Sequence, residues 1–229
     1  RLIIAVAERP EWMRIGDAAA LLGVAPSTAH RLLQMLALHG FARQDPASKT
    51  YHRGETIARL SNPHERARQA ARPLLAALVD EFGETAHLGV LEGVRAHTLL
   101  SVESPHLLRV GDRAGHRQPA HLSAMGRVLL SGADEDAVIE QVRAAGEAID
   151  PAEFGRQRAH ILSEGYILQH GEVEADVSAL AAPVRVASDA VEYAIGVTFP
   201  TGRVREADIP RLAAAVQTAA AQLAEELRR

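Results

Sequence analysis

The chain has 229 residues, 47% of them hydrophobic and 24% charged, with a formal net charge of −4, enough for one large or two modest domains with real cores. It contains no cysteine, which excludes disulfides, thiolate metal sites and a cysteine nucleophile. It has no run of eighteen apolar residues and no signal-peptide pattern, so a cytoplasmic protein with no membrane contact is expected.

The chain opens on Arg1 rather than Met, and a natural start with an N-terminal arm is expected to precede it. Ile15 to Leu22 (IGDAAALL) reads as a short helix, and Gly23 allows a sharp turn after it. Residues 24–40, VAPSTAHRLLQMLALHG, then predict a second helix, with Pro26 suited to its first position and Gly40 to its stop. Ala29, Leu32, Leu33 and Leu36 form its expected apolar stripe. Ser27, Thr28, His30, Arg31 and Gln34 lie on the other face, where hydroxyls, a guanidinium and an amide suit phosphates and base edges. Phe41 to Arg43, a turn through Asp45-Pro46, and Thr50 to Arg53 read as a hairpin carrying Arg43, Lys49, His52 and Arg53. Helix, Gly turn, helix with a polar outer face and then a basic hairpin is the order of a winged helix-turn-helix. The charge distribution agrees. Residues 1–62 carry eight Lys/Arg against five Asp/Glu, whereas residues 63–229 carry seventeen against twenty-four, so a basic part that meets phosphate sits on an acidic part that does not.

Asn62-Pro63-His64-Glu65 reads as a capped helix start. The segment to Gly83 is a connector helix carrying Leu74, Leu75, Leu78 and Phe82 on one face, with a kink or restart expected at Pro73. Beyond Thr85 a hairpin turns at Glu92-Gly93, helices follow at 120–131, 134–145 and 154–164, strands at 179–187 and 193–198 turn at Ser188-Asp189, and 207–228 is a closing helix. Strands and helices that cluster without strict alternation predict an α+β fold with an antiparallel sheet. The expected domains are 1–61 (DNA-binding), 62–83 (linker helix) and 84–229 (effector-binding).

Enzyme motifs are absent: the chain has no phosphate loop, GxGxxG, HExxH or GxSxG. His87, His97, His106, His116 and His121 follow no recognised ligand spacing, so no metal and no cofactor are expected. A site made by His87, His97 and a carboxylate such as Glu103 stays open. The Gly-rich basic run 107–126, LLRVGDRAGHRQPAHLSAMG, leads into a helix start at Leu122-Ser123, which suggests a small-anion site.

Taken in order, STAHRLL (27–33), GFARQDP (40–46), ARPLL (71–75), PAHLSAMGRVLLS (119–131), EGY (164–166) and LAAPV (180–184) make the chain resemble the isocitrate lyase regulator (IclR) family of bacterial transcription factors along its whole length. The resemblance implies a winged helix, a linker helix and a GAF-like domain whose half-open sheet cups a small organic acid. It also implies a homodimer or dimer of dimers reading a pseudo-palindromic operator, commonly as a repressor. By matching motif position it implies an effector pocket made by Leu107, Val110, Gln118, Ala124, Met125, Gln169, Val177, Ala179, Gly196 and Thr198. Gln169 stands where an acid is common, Ala179 where a cysteine often sits, Gly196 where a serine often sits, and Met125 where Ala or Leu is usual. A less polar pocket and a larger aliphatic or aromatic carboxylate follow as expectations. The alternative is a metal-sensing regulator or a small-molecule enzyme, with the helix-turn-helix serving assembly.

Overall fold

The computed structural model describes residues 1–8, 13–57, 64–187 and 190–229. The expected cap Asn62-Pro63 and the turn Ser188-Asp189 lie outside them. The chain divides into two compact units, Arg1–Glu65 and Arg66–Arg229.

The first unit holds α1 (Leu2–Glu8), α2 (Ile15–Leu22), α3 (Pro26–Leu38), β1 (Ala42–Gln44) and β2 (Tyr51–Arg53). Gly23 ends α2 at φ 66° and returns its N–H to the last turn, a left-handed position that a side chain would strain. Leu2, Val6, Met13, Ala18, Ala29, Leu33, Ala42 and Tyr51 are the buried core. On α3, Ala29 and Leu33 are fully buried and Leu36 packs beside them, but Leu32 is 36% exposed. Positions 29, 33 and 36 share a face, and Leu32 is rotated about 100° from Leu33, so the expected stripe loses that member. The hairpin pairs Ala42 with Arg53 and Gln44 with Tyr51. At its tip Asp45 Oδ1 accepts the N–H groups of Ala47 (2.9 Å) and Ser48 (2.8 Å), bonds that hold its carboxyl below the usual carboxylate range.

The second unit is a six-stranded antiparallel sheet in the order β5-β4-β3-β8-β7-β6. Its strands are β3 (Thr85–Glu92), β4 (Arg95–Val102), β5 (Arg117–Pro119), β6 (Ile167–His170), β7 (Val177–Val184) and β8 (Tyr193–Pro200). Alternation along the strands makes two faces. Leu88, Leu180, Ala182, Ile195, Val197 and Phe199 face one core with α4 (Glu65–Phe82) and α8 (Ile209–Arg228). That core takes Ala71, Leu75 and Leu78 from α4 and Leu212, Val216 and Leu223 from α8, each large side chain contributing about 1.5–3 kcal/mol on burial. Ala181 and Ala194 face the other core with α5 (Ala124–Leu130), α6 (Glu135–Ala144) and α7 (Pro151–Glu164).

Several elements differ from expectation. α4 runs unbroken through Pro73, because its buried face continues on both sides of the missing N–H. The helix expected at 120–131 is two pieces, a 3-10 turn at Ala120–Leu122 and then α5. Ser123 stands between them in extended conformation, and its Oγ accepts the N–H of Gly126 at 3.1 Å. α7 starts at Pro151 rather than Phe154, because Asp150 Oδ1 caps the N–H of Ala152 at 2.9 Å.

Candidate functional site

Each unit offers one surface with chemistry. In the first, Ser27, Thr28, Arg31 and Gln34 are exposed along α3 and His30 is half-buried. Arg43 and Lys49 are exposed on the hairpin, with Lys49 held at φ 58°. Arg53 differs from these: its guanidinium donates to the carbonyl of Ala7 at the end of α1, so it braces the unit as well as facing solvent.

In the second unit a cavity of about 60 Å³ opens on the sheet face that carries α5. Val110, Gln118, Ala124, Met125, Gln169, Val177, Ala179, Gly196 and Thr198 all line it. Leu107 does not: it is 99% exposed. Its loop is turned outward because Arg203 Nη2 takes the carbonyl of Leu108 at 2.6 Å and Arg109 pairs with Glu103.

The lining also contains Arg113 and His116 from the basic run 107–126 and His87 from the histidine group, together with Thr98, Val173 and Glu174, which no motif singles out. His87 is buried between Ser101 Oγ (2.9 Å from Nδ1) and Thr198 Oγ1 (2.7 Å from Nε2). Burial first, and the Arg113 charge second, bring its imidazole down to about 4, so it is neutral at pH 7. Alternation on β3 sets His87 on the face of Gly89, and β8 places Gly196 opposite it, a relation that strand pairing reveals and local sequence does not. His97 instead bonds Glu92 at 2.6 Å. Among the described residues no three His, Asp or Glu side chains converge as a metal site.

Met125 explains the two glycines. A Cβ at Gly196 would lie 2.7 Å from Met125 Cγ, and one at Gly89 would lie 3.2 Å from its sulfur. The thioether therefore fills the room that Gly196 leaves in place of serine. A water needs about 10–15 Å³ of such space, so the cavity has room for a small molecule. Gln169 serves the fold: with its amide turned toward the following loop, its oxygen accepts the N–H groups of Glu172 (2.9 Å) and Val173 (3.1 Å).

The profile described as IclR helix-turn-helix domain matches residues 1–46, and that described as Bacterial transcriptional regulator IclR C-terminal matches residues 63–225. The chain belongs to the IclR family. It is similar to the HTH-type transcriptional regulator BhcR of Paracoccus denitrificans, at 31% identity over 92% of this chain and 79% of the relative. It is also similar to the glycerol operon regulatory protein of Streptomyces griseus, at 34% identity over 93% and 88%. The crystal structure of the Thermotoga maritima IclR superposes with a TM-score of 0.66 at 17% identity, covering 100% of this chain and 96% of that one, a likeness of fold. As an IclR-family protein the chain is a DNA-binding transcriptional regulator and not an enzyme, with an N-terminal helix-turn-helix domain and an α+β C-terminal domain. Among the described residues no helix is long and apolar enough to cross a membrane.

Proposed function

We propose that this regulator binds a pseudo-palindromic operator as a homo-oligomer and that a small carboxylate in the C-terminal cavity sets its affinity. The observation that carries the effector reading is the cavity, lined both by the apolar Val110, Met125, Val173 and Val177 and by the polar Thr98, Gln118, Arg113 and Thr198. An apolar pocket with a few convergent polar groups is how small-ligand sites are built. For DNA, α3 supplies Ser27, Thr28, His30, Arg31 and Gln34 to the major groove, while Arg43, Lys49 and Arg53 meet phosphates from the wing. Pairing of two copies would cover Ile3 and Ile4, which are 45% and 57% exposed on α1. The linker helix α4 (Glu65–Phe82) carries ligand binding into a bias on half-site spacing, in a cytoplasmic protein that works beside the chromosome.

Two measurements test this reading. Arg31→Ala lowers operator affinity by about ten- to a hundredfold, the ~1–3 kcal/mol of one base-edge contact, and leaves the melting temperature unchanged. Full affinity in that variant removes Arg31 from the interface. In a thermal-shift screen of three- and four-carbon acids, a ligand at a hundred times its Kd stabilises the protein by about 2.7 kcal/mol. Ala179→Leu, which projects into the cavity, abolishes the shift while the variant stays folded. A shift that survives Ala179→Leu puts the ligand elsewhere.

A further inference from the structure

The cavity lining holds one guanidinium and one carboxylate, those of Arg113 and Glu174, and the two are paired: Arg113 Nη2 donates to Glu174 Oε1 at 2.5 Å. The partners are held very differently. Arg113 sits on a braced loop, where its backbone N–H donates to Ser101 Oγ at 3.1 Å. Its neighbour Asp112 donates its backbone N–H to Glu103 Oε1 at 2.7 Å and accepts that of Ala114 at 2.7 Å. Arg113 and the buried His87 both line the cavity. Glu174, with its side chain 48% exposed, stands on the segment 171–176 between β6 and β7. The first half of that segment is fastened independently. With its amide turned toward this loop, Gln169 accepts the N–H groups of Glu172 and Val173, and the Glu172 carboxylate is gripped by the buried Arg127, whose Nη1 lies 2.9 Å from Oε1. Val173 and Glu174 line the cavity from this segment; the Glu174 carbonyl accepts the N–H of Val177 at 2.9 Å, and Arg113 holds its carboxylate.

We infer that Arg113 receives the acid group of the effector and that Glu174 is its resident competitor, so that a carboxylate ligand must displace Glu174 and free the 171–176 strap. The inference rests on the acid-effector reading above and names the residue and the movement it involves. A half-exposed ion pair contributes little to stability, so giving it up is cheap. A ligand carboxylate placed beside an undisplaced Glu174 meets like-charge repulsion in a partly dry cavity. Arg113 engages Glu174 through Nη2 alone, whereas a free carboxylate is able to take the guanidinium edge with two parallel bonds. The pair thus sets selectivity, admitting anions of the right size and turning away neutral amides of the same shape. It also turns occupancy of the cavity into a change in the strap that covers it.

The test uses the full chain, with lactate and lactamide as a matched acid and amide of six heavy atoms each. In ligand-free protein, Glu174→Gln speeds amide hydrogen exchange in the peptide spanning 171–176. Lactate then stabilises that variant at roughly tenfold lower concentration than wild type, and lactamide does not distinguish the two. Arg113→Gln removes the lactate effect. Glu172→Gln, which loosens the strap at its root, speeds exchange without changing the lactate midpoint. Unchanged exchange in Glu174→Gln overturns the inference, as does an acid that stabilises wild type but binds Glu174→Gln no more tightly; in both cases the effector reading stands. If no acid stabilises either protein, the effector reading itself falls and takes the inference with it.

Discussion

Gly126→Ala lowers the stability of the C-terminal unit by roughly 3 kcal/mol or more, and its Tm by on the order of 10 °C. The usual rule has the opposite sign, since Gly to Ala inside a helix gains up to about 1 kcal/mol. Here a Cβ would stand 2.2 Å from the carbonyl oxygen of Ala120 and 2.3 Å from its Cα. Both contacts are to backbone, so no rotamer change relieves them, and α5 must lift off the preceding 3-10 turn. That helix buries Ala124, Met125, Val128 and Leu129 and forms one wall of the cavity, so the strain spreads into a packed layer. Gly16→Ala is the control: nothing lies within 4 Å of a Cβ there, and the change leaves stability equal or up to about 1 kcal/mol higher. Equal chemical-denaturation midpoints for Gly126→Ala and wild type would refute the packing argument.

The second large effect is a loss of stability on mild acidification. His87 has its folded-state pKa brought from 6.5 to about 4. Between those values the unfolded chain binds the proton and the native state does not, so stability falls as pH drops below 6.5 and levels off below about 4. The full cost is about 3 kcal/mol, of which about 2 kcal/mol is lost between pH 7 and pH 5. Burial lowers His121 as well, which acts in the same direction. The carboxyls held low, Asp112 and Glu92 among them, shed their contributions only at more acidic pH. His87→Gln, which is still able to bridge Ser101 and Thr198, flattens the unfolding free energy between pH 5 and 7. A wild-type profile that is already flat across that window would show His87 to be charged or reached by water.

These effects belong to features that the sequence reveals unevenly. α3 was legible because its polar and apolar residues separate over thirteen positions and Pro26 marks its start. α1 was not, since LIIAVAE is seven residues long and almost wholly apolar, without a period to read. β5 and β6, of three and four residues, are too short to display alternation. In the cavity, motif position led to Val110, Ala124, Met125 and Thr198. It failed at Leu107, whose direction is set by Arg203 from far along the chain. Arg113 and Glu174 are 61 residues apart, and His87 and Thr198 are 111 apart. Such pairs exist only once the sheet has assembled. Met125 and Gly196 each depart from the family pattern in the sequence, but that one fills the space left by the other is a fact of packing.

The strand order has a consequence for how the protein is made. The middle seam of the sheet joins β3 to β8, with Thr85 opposite Thr198, whereas the outermost strands come from the interior of the sequence. A ribosome therefore completes the contacts within Arg1–Glu65 long before the other unit is able to close. That unit waits, with β3 presenting a bare edge to its surroundings, until residue 200 has emerged and the slow, long-range pairing begins. A nascent chain cut short ahead of Tyr193 would not carry a smaller sheet. It would carry two unjoined halves, each with an open flank, and would be a substrate for chaperones and proteases.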